Sequence, residues 1–370
     1  MVIDLETQSS LYHCTMAVKY YHLKVKEVVQ ETPDTVTIHF WHPLSEMIKY
    51  EAGQFLTLMP VIDGQKVRRS YSMSSSPQVD VSPAVTVKRV PGGLVSNWLN
   101  DHVKEGDFME TMAPMGRFTL TPDDTAARHV VLIGAGSGIT PLMSIAKSVL
   151  MVEPDSRVTL LYGSRNEDSV IFKNQLAALQ QKYGDRLALH HALSQPLNGW
   201  AGMNGRLNKT HILRILETAP DFDAATATFY ICGPDGLMDE AKRALAILNV
   251  PADHVLTESF VSANAAVGDV TEDEDDGSLK TQEITVLYEG SEYKFNVEPH
   301  QTILEAALDL DIDLPYSCQA GMCTACLGKC TSGKIKLDEE DGLTESEMKA
   351  GYILTCVAHP LTRDVVIEIE

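Results

Sequence analysis

The sequence predicts a multidomain protein with an antiparallel β-barrel, an α/β domain built on a parallel sheet, and a small domain of strands and one helix. Three observations support this division. Short alternating segments fill the first third of the chain, a continuous apolar strand followed by a glycine turn opens the second, and a cysteine-rich loop lies in the last. The 370 residues suffice for two or three domains. The expected boundaries are 17–123, 126–262 and 282–370, with an acidic linker at 263–281.

The first domain is expected to be a small antiparallel barrel. Residues 22–26, 35–40 and 55–58 alternate between apolar and polar side chains and are separated by proline and glycine turns. A further strand at 84–90 leads to a glycine turn, which opens a helix next to Ser96. Such a turn at a helix N-terminus binds anions, and an upstream arginine would add a charge suited to phosphate. Each signal is weak alone, because an arginine in a strand is more often a surface residue.

The second domain is expected to bind a nucleotide at a glycine turn. Residues 129–133 form a continuous apolar strand of the kind found in parallel sheets. Gly134, Gly136 and Gly138 follow, and Pro141 stands in the first turn of a helix at 142–152. The spacing G-x-G-x-G-x-x-P differs from the dinucleotide fingerprint G-x-G-x-x-G, which would require glycine in place of Ile139.

The next strand of this domain indicates which nucleotide is preferred. It spans 158–165 and ends in Ser164 and Arg165, where an NADH-binding domain places an acidic residue for the ribose 2′-hydroxyl. A hydroxyl and a guanidinium suit a 2′-phosphate instead. The sequence therefore favours NADPH over NADH.

The last domain contains four cysteines in the pattern C-x4-C-x2-C…C, namely Cys318, Cys323, Cys326 and Cys356. This is the ligand spacing of plant-type [2Fe–2S] clusters, and Gly321 lets the loop curl round a cluster. A zinc site usually has two C-x2-C pairs, and a disulfide framework is disfavoured because no export signal is evident. The two-cluster ferredoxin pattern would need a shorter first gap.

Strand and helix signals surround this cysteine loop. Residues 284–288 and 293–297 alternate around a glycine as a hairpin, and Thr302 and Glu305 form a capping box. A strand at 365–369 closes the domain. Together they match the β-grasp fold of plant-type ferredoxins. Cys330 is expected to be a buried strand residue without a ligand role.

Arg69-x-Tyr71-Ser72 together with Gly93-x-x-Ser96 resembles the FAD fingerprint of the ferredoxin–NADP reductase superfamily. The resemblance implies that Tyr71 flanks the isoalloxazine and that Ser72 bonds near flavin N5. It also implies that Arg69 and the Gly93–Ser96 turn hold the pyrophosphate, which favours FAD over FMN.

The glycine turn of the second domain and the Cys-Gly-Pro segment at Cys232 also resemble that superfamily, in which this segment lies by the nicotinamide. Without the resemblance, Cys232 would be a small buried residue at a strand end. The expected catalytic residues are Tyr71, Ser72 and Cys232. The expected cofactor-binding residues are Arg69, Tyr71, Ser72, Val87, Gly93, Ser96, Gly134, Gly136, Gly138, Thr140, Ser164, Arg165, Cys232, Gly233, Asp235 and Phe260.

The order of the three domains and the segment 351–361 resemble the reductase components of oxygenases, most of all the phenylacetyl-CoA epoxidase reductase subunits and relatives that serve ketosteroid hydroxylases. This implies hydride transfer from NADPH to FAD, then single-electron transfer through the cluster to a terminal oxygenase, a hydroxylase or another redox metalloprotein. Three alternatives remain open: a stand-alone reductase of small acceptors such as quinones, a reductase of a hybrid-cluster protein, and a zinc-stabilised binding module.

Net charge and composition exclude some classes of partner and indicate the compartment. The net charge of −21 argues against nucleic acid or an anionic membrane as a partner. The apolar run 130–152 is long enough to span a bilayer, but its glycines, proline and lysine fit a strand, turn and helix better. Seven cysteines without an evident export signal indicate a reducing cytoplasm.

Overall fold

The computed structural model describes residues 19–260, 280–299, 301–319, 321, 323–338, 342–343 and 345–369. The acidic linker expected at 263–281 therefore lies outside the described residues, apart from its last two. Within the described ranges, no helix is both long and apolar enough to cross a bilayer. The multidomain fold with a β-barrel, a parallel sheet and a ferredoxin-like sheet is confirmed.

The first domain is an antiparallel six-stranded sheet in the order β6-β3-β8-β1-β2-β7, with a bridge from Met73 to Val85 that brings its two ends together as a barrel. Helix α1 packs beside β7 through Leu99, which is fully buried. The expected strands at 22–26, 35–40 and 55–58 are present. The elements are β1 Tyr20–Thr32, β2 Thr35–Phe40, β3 Phe55–Leu58, β4 Val61–Ile62, β5 Gln65–Lys66, β6 Arg69–Ser72, β7 Ala84–Lys88, α1 Leu94–His102 and β8 Phe108–Met112.

The second domain is a parallel sheet in the order β12-β11-β10-β9-β13-β14. Helices α2 and α3 cover one face and α4 and α5 cover the other, so the central strands are buried on both sides. The first helix begins three residues earlier than expected, because the glycine turn at Gly136–Gly138 is a helical 3-10 turn that leads directly into it. The elements are β9 His129–Ala135, α2 Ile139–Val152, β10 Arg157–Ser164, α3 Lys173–Tyr183, β11 Leu187–Leu193, β12 Met203–Asn204, α4 Lys209–Thr218, β13 Thr228–Cys232, α5 Asp235–Ile247 and β14 Val255–Glu258.

The barrel and the parallel-sheet domain share a core. Phe118 and Leu120 of the barrel pack with α2, and the Tyr230 hydroxyl donates a hydrogen bond of 3.0 Å to the Thr119 carbonyl. The Ser144 hydroxyl of α2 donates a 2.6 Å bond to the Ser75 carbonyl of the barrel. These buried contacts fix the glycine turn of one domain against the barrel of the other.

The last domain has a five-stranded sheet in the order β16-β15-β21-β17-β19, with β15 and β21 parallel, and α6 packs on it. The capping box at the start of α6 is present: the Glu305 N–H donates to the Thr302 hydroxyl at 3.2 Å, and the Thr302 N–H donates to the Glu305 carboxylate at 2.9 Å. The elements are β15 Gln282–Tyr288, β16 Ser291–Val297, α6 Ile303–Asp309, β17 Leu327–Ser332, β18 Ile335–Leu337, α7 Glu345–Lys349, β19 Tyr352–Leu354, β20 Ala358–Pro360 and β21 Val366–Ile369.

Candidate functional site

The three domains meet around one cavity of about 620 Å³. The barrel contributes β6, the end of β7 and the turn before α1. The parallel-sheet domain contributes the start of α2 and the segment after β14, and the last domain contributes Cys318 and Cys323. Nine of the sequence-predicted site residues line this cavity: Arg69, Tyr71, Ser72, Gly93, Ser96, Thr140, Phe260, Cys318 and Cys323.

The turn before α1 is shaped for close approach of a ligand. The Ser96 hydroxyl accepts a hydrogen bond of 3.1 Å from the Val90 N–H, which closes the turn over residues 90–96. Gly93 is the N-cap of α1, and a Cβ added there would lie 2.9 Å from the Ser96 hydroxyl oxygen. Glycine therefore leaves room at a helix N-terminus, where backbone N–H groups favour an anion. With Arg69 on the same cavity wall, these residues fit an FAD pyrophosphate.

Val87 differs from the other expected residues of the barrel. Its side chain is fully buried in the barrel core, whereas its neighbours Thr86 and Lys88 line the cavity. This follows from the alternation of side chains along a strand. A contact between Val87 and a cofactor would therefore have to use the backbone.

The glycine turn of the second domain lies at the point where the strand order reverses, between β9 and β13. Nucleotides bind at such switch points, outside the carboxyl ends of parallel strands. A Cβ at Gly138 would collide with the Cys232 carbonyl, and one at Gly134 would lie 2.6 Å from the Leu142 side chain. Gly136 has a φ of +56°, a conformation that glycine adopts without strain. The turn can therefore lie close to both strands and to a ligand.

Ser164 and Arg165 lie at the carboxyl end of β10, as expected, but they do not line the cavity described above. Arg165 is exposed. The Ser164 hydroxyl oxygen is buried and makes no hydrogen bond of good geometry within the described residues, although Tyr162 lies close by. An unsatisfied hydroxyl next to an exposed guanidinium fits a phosphate ligand.

Residues from three strands meet at the inner end of the cavity. The Ser72 hydroxyl donates a 2.9 Å hydrogen bond to the Glu258 carboxylate at the end of β14. Burial raises the pKa of Glu258 to about 7. Burial, reinforced by the nearby Glu258 charge, raises the pKa of the Cys232 thiol well above its ordinary value. Cys232 is fully buried behind the cavity wall, so it is placed to pack there as a neutral thiol rather than to act as a nucleophile.

Gly233 and Asp235 follow Cys232 at the start of α5. Asp235 is the first residue of that helix and accepts a 3.3 Å hydrogen bond from the Ser259 hydroxyl. This bond ties the turn at Gly233–Asp235 to the segment that contains Phe260. Phe260 lines the cavity and remains 42% exposed, which leaves an aromatic face at its entrance.

The four predicted cluster cysteines converge on one point. The sulfurs of Cys326 and Cys356 are 3.3 Å apart, and the Cys323 N–H donates a 3.4 Å bond to the Cys318 sulfur. None of the four forms a disulfide. Cys330, in contrast, lies in β17, is only partly buried, and donates its S–H to the Ser332 carbonyl at 3.0 Å. The four converging thiols fit a [2Fe–2S] cluster, with backbone N–H groups close to the sulfurs.

Lys88 lines the cavity and was not among the predicted residues, whereas Glu258 belongs to the segment 258–260 that the resemblance to the superfamily places beside the flavin. Lys88 forms an ion pair of 3.8 Å with Asp34, and its ammonium nitrogen would lie 3.9 Å from a Cβ at Gly136. It thus places a positive charge at the glycine turn. The only sequence signal for Lys88 is a polar residue at the end of a buried strand, and many structural residues share that feature.

Comparisons with known proteins agree with this geometry. Three family models match the chain in order: an oxidoreductase FAD-binding domain at 22–120, an oxidoreductase NAD-binding domain at 132–243, and a 2Fe-2S iron-sulfur cluster binding domain at 286–361. Fold, site and matches together define a flavin-dependent oxidoreductase with a nicotinamide-nucleotide domain and a [2Fe–2S] domain.

Curated relatives specify the family. The chain is 35% identical to a subunit of the 1,2-phenylacetyl-CoA epoxidase of Escherichia coli (strain K12), over 95% of this chain and 98% of that protein. It is 36% identical to the ferredoxin reductase component of 3-ketosteroid-9-alpha-monooxygenase of Rhodococcus rhodochrous, over 94% and 96%. A glycine betaine monooxygenase reductase subunit of Pseudomonas aeruginosa is 33% identical over 92% and 93%. The chain belongs to this family of reductase components of oxygenase systems.

Solved structures show the same architecture. Phthalate dioxygenase reductase is similar over 95% of this chain and 98% of its own length, with a TM-score of 0.58 and 23% identity. A type IV self-sufficient cytochrome P450 monooxygenase is similar over 95% of this chain and 41% of its own, with a TM-score of 0.67 and 21% identity. At such identities the likeness shows the fold alone.

Proposed function

We propose that the protein is an NADPH-dependent reductase that delivers electrons, through FAD and a [2Fe–2S] cluster, to a terminal oxygenase of the phenylacetyl-CoA epoxidase type. One observation supports this above all: the cavity bordered by the flavin-type residues Tyr71 and Ser72 is also bordered by Cys318 and Cys323. A flavin there would lie directly against two cluster ligands. When bound, FAD supplies the chemistry that links a two-electron hydride donor to a one-electron cluster.

The chain's own residues have distinct tasks in this proposal. Arg69 and the Gly93–Ser96 turn bind the pyrophosphate, and Tyr71 presents an aromatic surface to the isoalloxazine. The Ser72 hydroxyl, held by Glu258, provides a fixed polar contact in the cavity. These residues act by positioning the cofactor, because the reactive groups belong to the cofactors.

The nucleotide preference is part of the proposal. Ser164 and Arg165 would bind a 2′-phosphate, and the glycine turn from Gly134 to Gly138, with Thr140, would bind the nucleotide pyrophosphate. The Thr140 hydroxyl donates a 2.9 Å hydrogen bond to the Ser137 carbonyl, which stabilises the turn that leads into α2. Gly233 and Asp235 complete the wall on the nicotinamide side.

We also propose that the partner is a metalloenzyme met in the cytoplasm. The relatives by name are components of an epoxidase, a ketosteroid monooxygenase and a glycine betaine monooxygenase. The cluster cysteines have to stay reduced until they bind iron, which suits a reducing compartment. The net charge of −21 favours a partner with a basic docking surface.

Reconstitution with purified oxygenases tests this function. The holoprotein, NADPH and the oxygenase subunits of a phenylacetyl-CoA epoxidase, a ketosteroid monooxygenase or a glycine betaine monooxygenase are mixed in turn, and product is compared with NADPH consumed. We expect stoichiometric product with the epoxidase. Fast NADPH oxidation by quinones, without product from any of the three, would show a stand-alone reductase instead.

A further inference from the structure

Arg68 of the barrel binds the last domain directly. Its guanidinium nitrogen Nη2 contacts both carboxylate oxygens of Asp313, at 2.6 and 2.9 Å, and Nη1 donates to the Leu314 carbonyl at 3.4 Å. The same guanidinium lies 4.5 Å from the centre of the Tyr316 ring. The Arg68 side chain is only 6% exposed, whereas that of Asp313 is 67% exposed. A bidentate carboxylate and an aromatic ring thus satisfy one buried arginine.

Arg117 repeats this arrangement at a second place. It forms an ion pair with Glu347 of α7, and its guanidinium lies 5.9 Å from the centre of the Tyr352 ring. Glu347 is 17% exposed and Arg117 is 48% exposed. Arg68 and Arg117 therefore each contact one carboxylate and one tyrosine of the last domain.

Both contacts lie next to the cluster ligands in the chain. Asp313 and Tyr316 immediately precede the ligand loop that begins at Cys318, and Tyr352 lies shortly before Cys356. A third contact joins the same two domains, since the hydroxyls of Ser70 and Ser317 are 2.5 Å apart. Ser70 lies between Arg69 and Tyr71 in β6, so the strand that lines the flavin cavity is bonded to the residue before the first cluster ligand.

We infer that Arg68 and Arg117 are positioning residues that hold the cluster loop against the flavin cavity. This inference rests on the proposed electron path from FAD to the cluster, and it adds the residues that set the distance between the two. Electron transfer slows steeply with distance, so the docked position of the cluster loop would set the rate at which the cluster is reduced. Loss of the carboxylate that pairs with a buried arginine disturbs the contact between two domains more than loss of a surface ion pair does.

The test uses Asp313→Asn and Glu347→Gln, singly and together, in the holoprotein. Asp311→Asn is the matched control, because Asp311 is an exposed carboxylate two residues from Asp313 and does not belong to the Arg68–Asp313 contact. Arg68→Gln completes a double-mutant cycle with Asp313→Asn. Anaerobic stopped-flow spectra after mixing with NADPH separate flavin reduction from cluster reduction. Amide hydrogen exchange at Leu314, Tyr316 and Ser317 reports on the docked loop independently of turnover.

We expect Asp313→Asn to lower the docked population, and with it the rate of cluster reduction, by about tenfold, and the double variant to lower it further. Flavin reduction should keep the wild-type rate, the amides of Leu314, Tyr316 and Ser317 should exchange faster, and Asp311→Asn should match the wild type. Adding Arg68→Gln to Asp313→Asn should add little, because the pair acts as a unit. The inference is overturned if Asp313→Asn and the double variant both reduce the cluster at the wild-type rate, whether or not their amides exchange faster. If the wild-type protein itself shows flavin reduction without cluster reduction, the proposed electron path fails instead.

Discussion

Ser72 of the barrel and Glu258 of the parallel-sheet domain are joined by a 2.9 Å hydrogen bond at the inner end of the cavity. The bond connects a residue of β6 to the last residue of β14, strands from two different sheets. It fixes the relative position of the flavin-type and nicotinamide-type walls. Glu258 is therefore in an environment that a surface glutamate lacks, and its pKa should differ from that of a surface glutamate.

The Glu258→Gln variant is expected to show this titration as a pH-dependent stability difference. Burial raises the pKa of Glu258 from its ordinary 4.5 to about 7, so the folded protein binds this proton more tightly than the unfolded chain does. Stability conferred by the protonated group is therefore present at low pH and is lost as pH rises toward 7. Between pH 5 and pH 8 the free energy of unfolding of the wild type should fall by about 2 kcal/mol relative to that of Glu258→Gln.

Thermal unfolding of both proteins at the two pH values measures this difference. The Tm of Glu258→Gln, relative to wild type, should rise by a few degrees from pH 5 to pH 8. The exposed Glu217→Gln should show no such change. An equal Tm difference at both pH values would mean that Glu258 titrates like a surface carboxylate.

Arg165→Ala should raise the KM for NADPH roughly tenfold or more while changing that for NADH little, because only NADPH has a 2′-phosphate to pair with the guanidinium. Steady-state rates with both nucleotides provide the measurement. Arg157→Ala is the control, since Arg157 begins the same strand and pairs with Asp221 at the opposite end. Equal effects on the two nucleotides would contradict the 2′-phosphate assignment.

Cys356→Ser should lose the cluster and keep flavin reduction by NADPH, because a [2Fe–2S] cluster of this type needs four ligands and the flavin residues lie in another domain. Iron and sulfide analysis gives the cluster content, and stopped-flow absorption gives the flavin rate. Cys330→Ser, which removes a thiol of β17 that donates to the Ser332 carbonyl, should retain the cluster. Cytochrome c reduction at the full wild-type rate in Cys356→Ser would exclude electron exit through the cluster.

Gly138→Ala should weaken NADPH binding strongly, because the added Cβ would collide with the Cys232 carbonyl backbone at the switch point. Isothermal titration of the oxidised holoprotein with NADP⁺ measures the affinity. Gly236→Ala is the matched control: its Cβ meets nothing within 4 Å, and it lies inside α5, where alanine is favoured over glycine. Unchanged affinity in Gly138→Ala would place the nucleotide elsewhere.

Much of this architecture could be predicted from local patterns. Cysteine spacing indicated the cluster ligands, and the capping box located α6, because both depend on residues close together in the chain. The strands at 35–40 and 55–58 followed from alternation alone. The domain boundaries at 17–123, 126–262 and 282–370 stay predictions.

Contacts between domains could not be predicted in this way. Arg68 and Arg69 are neighbours in sequence, yet Arg68 contacts Asp313 of the last domain and Arg69 lines the cavity. The role of Glu258 depends on its contact with Ser72, a partner 186 residues away. Long-range packing decides such roles, and no local pattern encodes it.

The central claim is that NADPH reduces the cluster through the flavin. An anaerobic NADPH titration of the iron-replete holoprotein, followed by visible absorption and low-temperature EPR, tests it most directly. We predict that loss of flavin absorbance is accompanied by the EPR signal of a reduced [2Fe–2S] cluster. Reduced flavin without any iron–sulfur signal would contradict the claim.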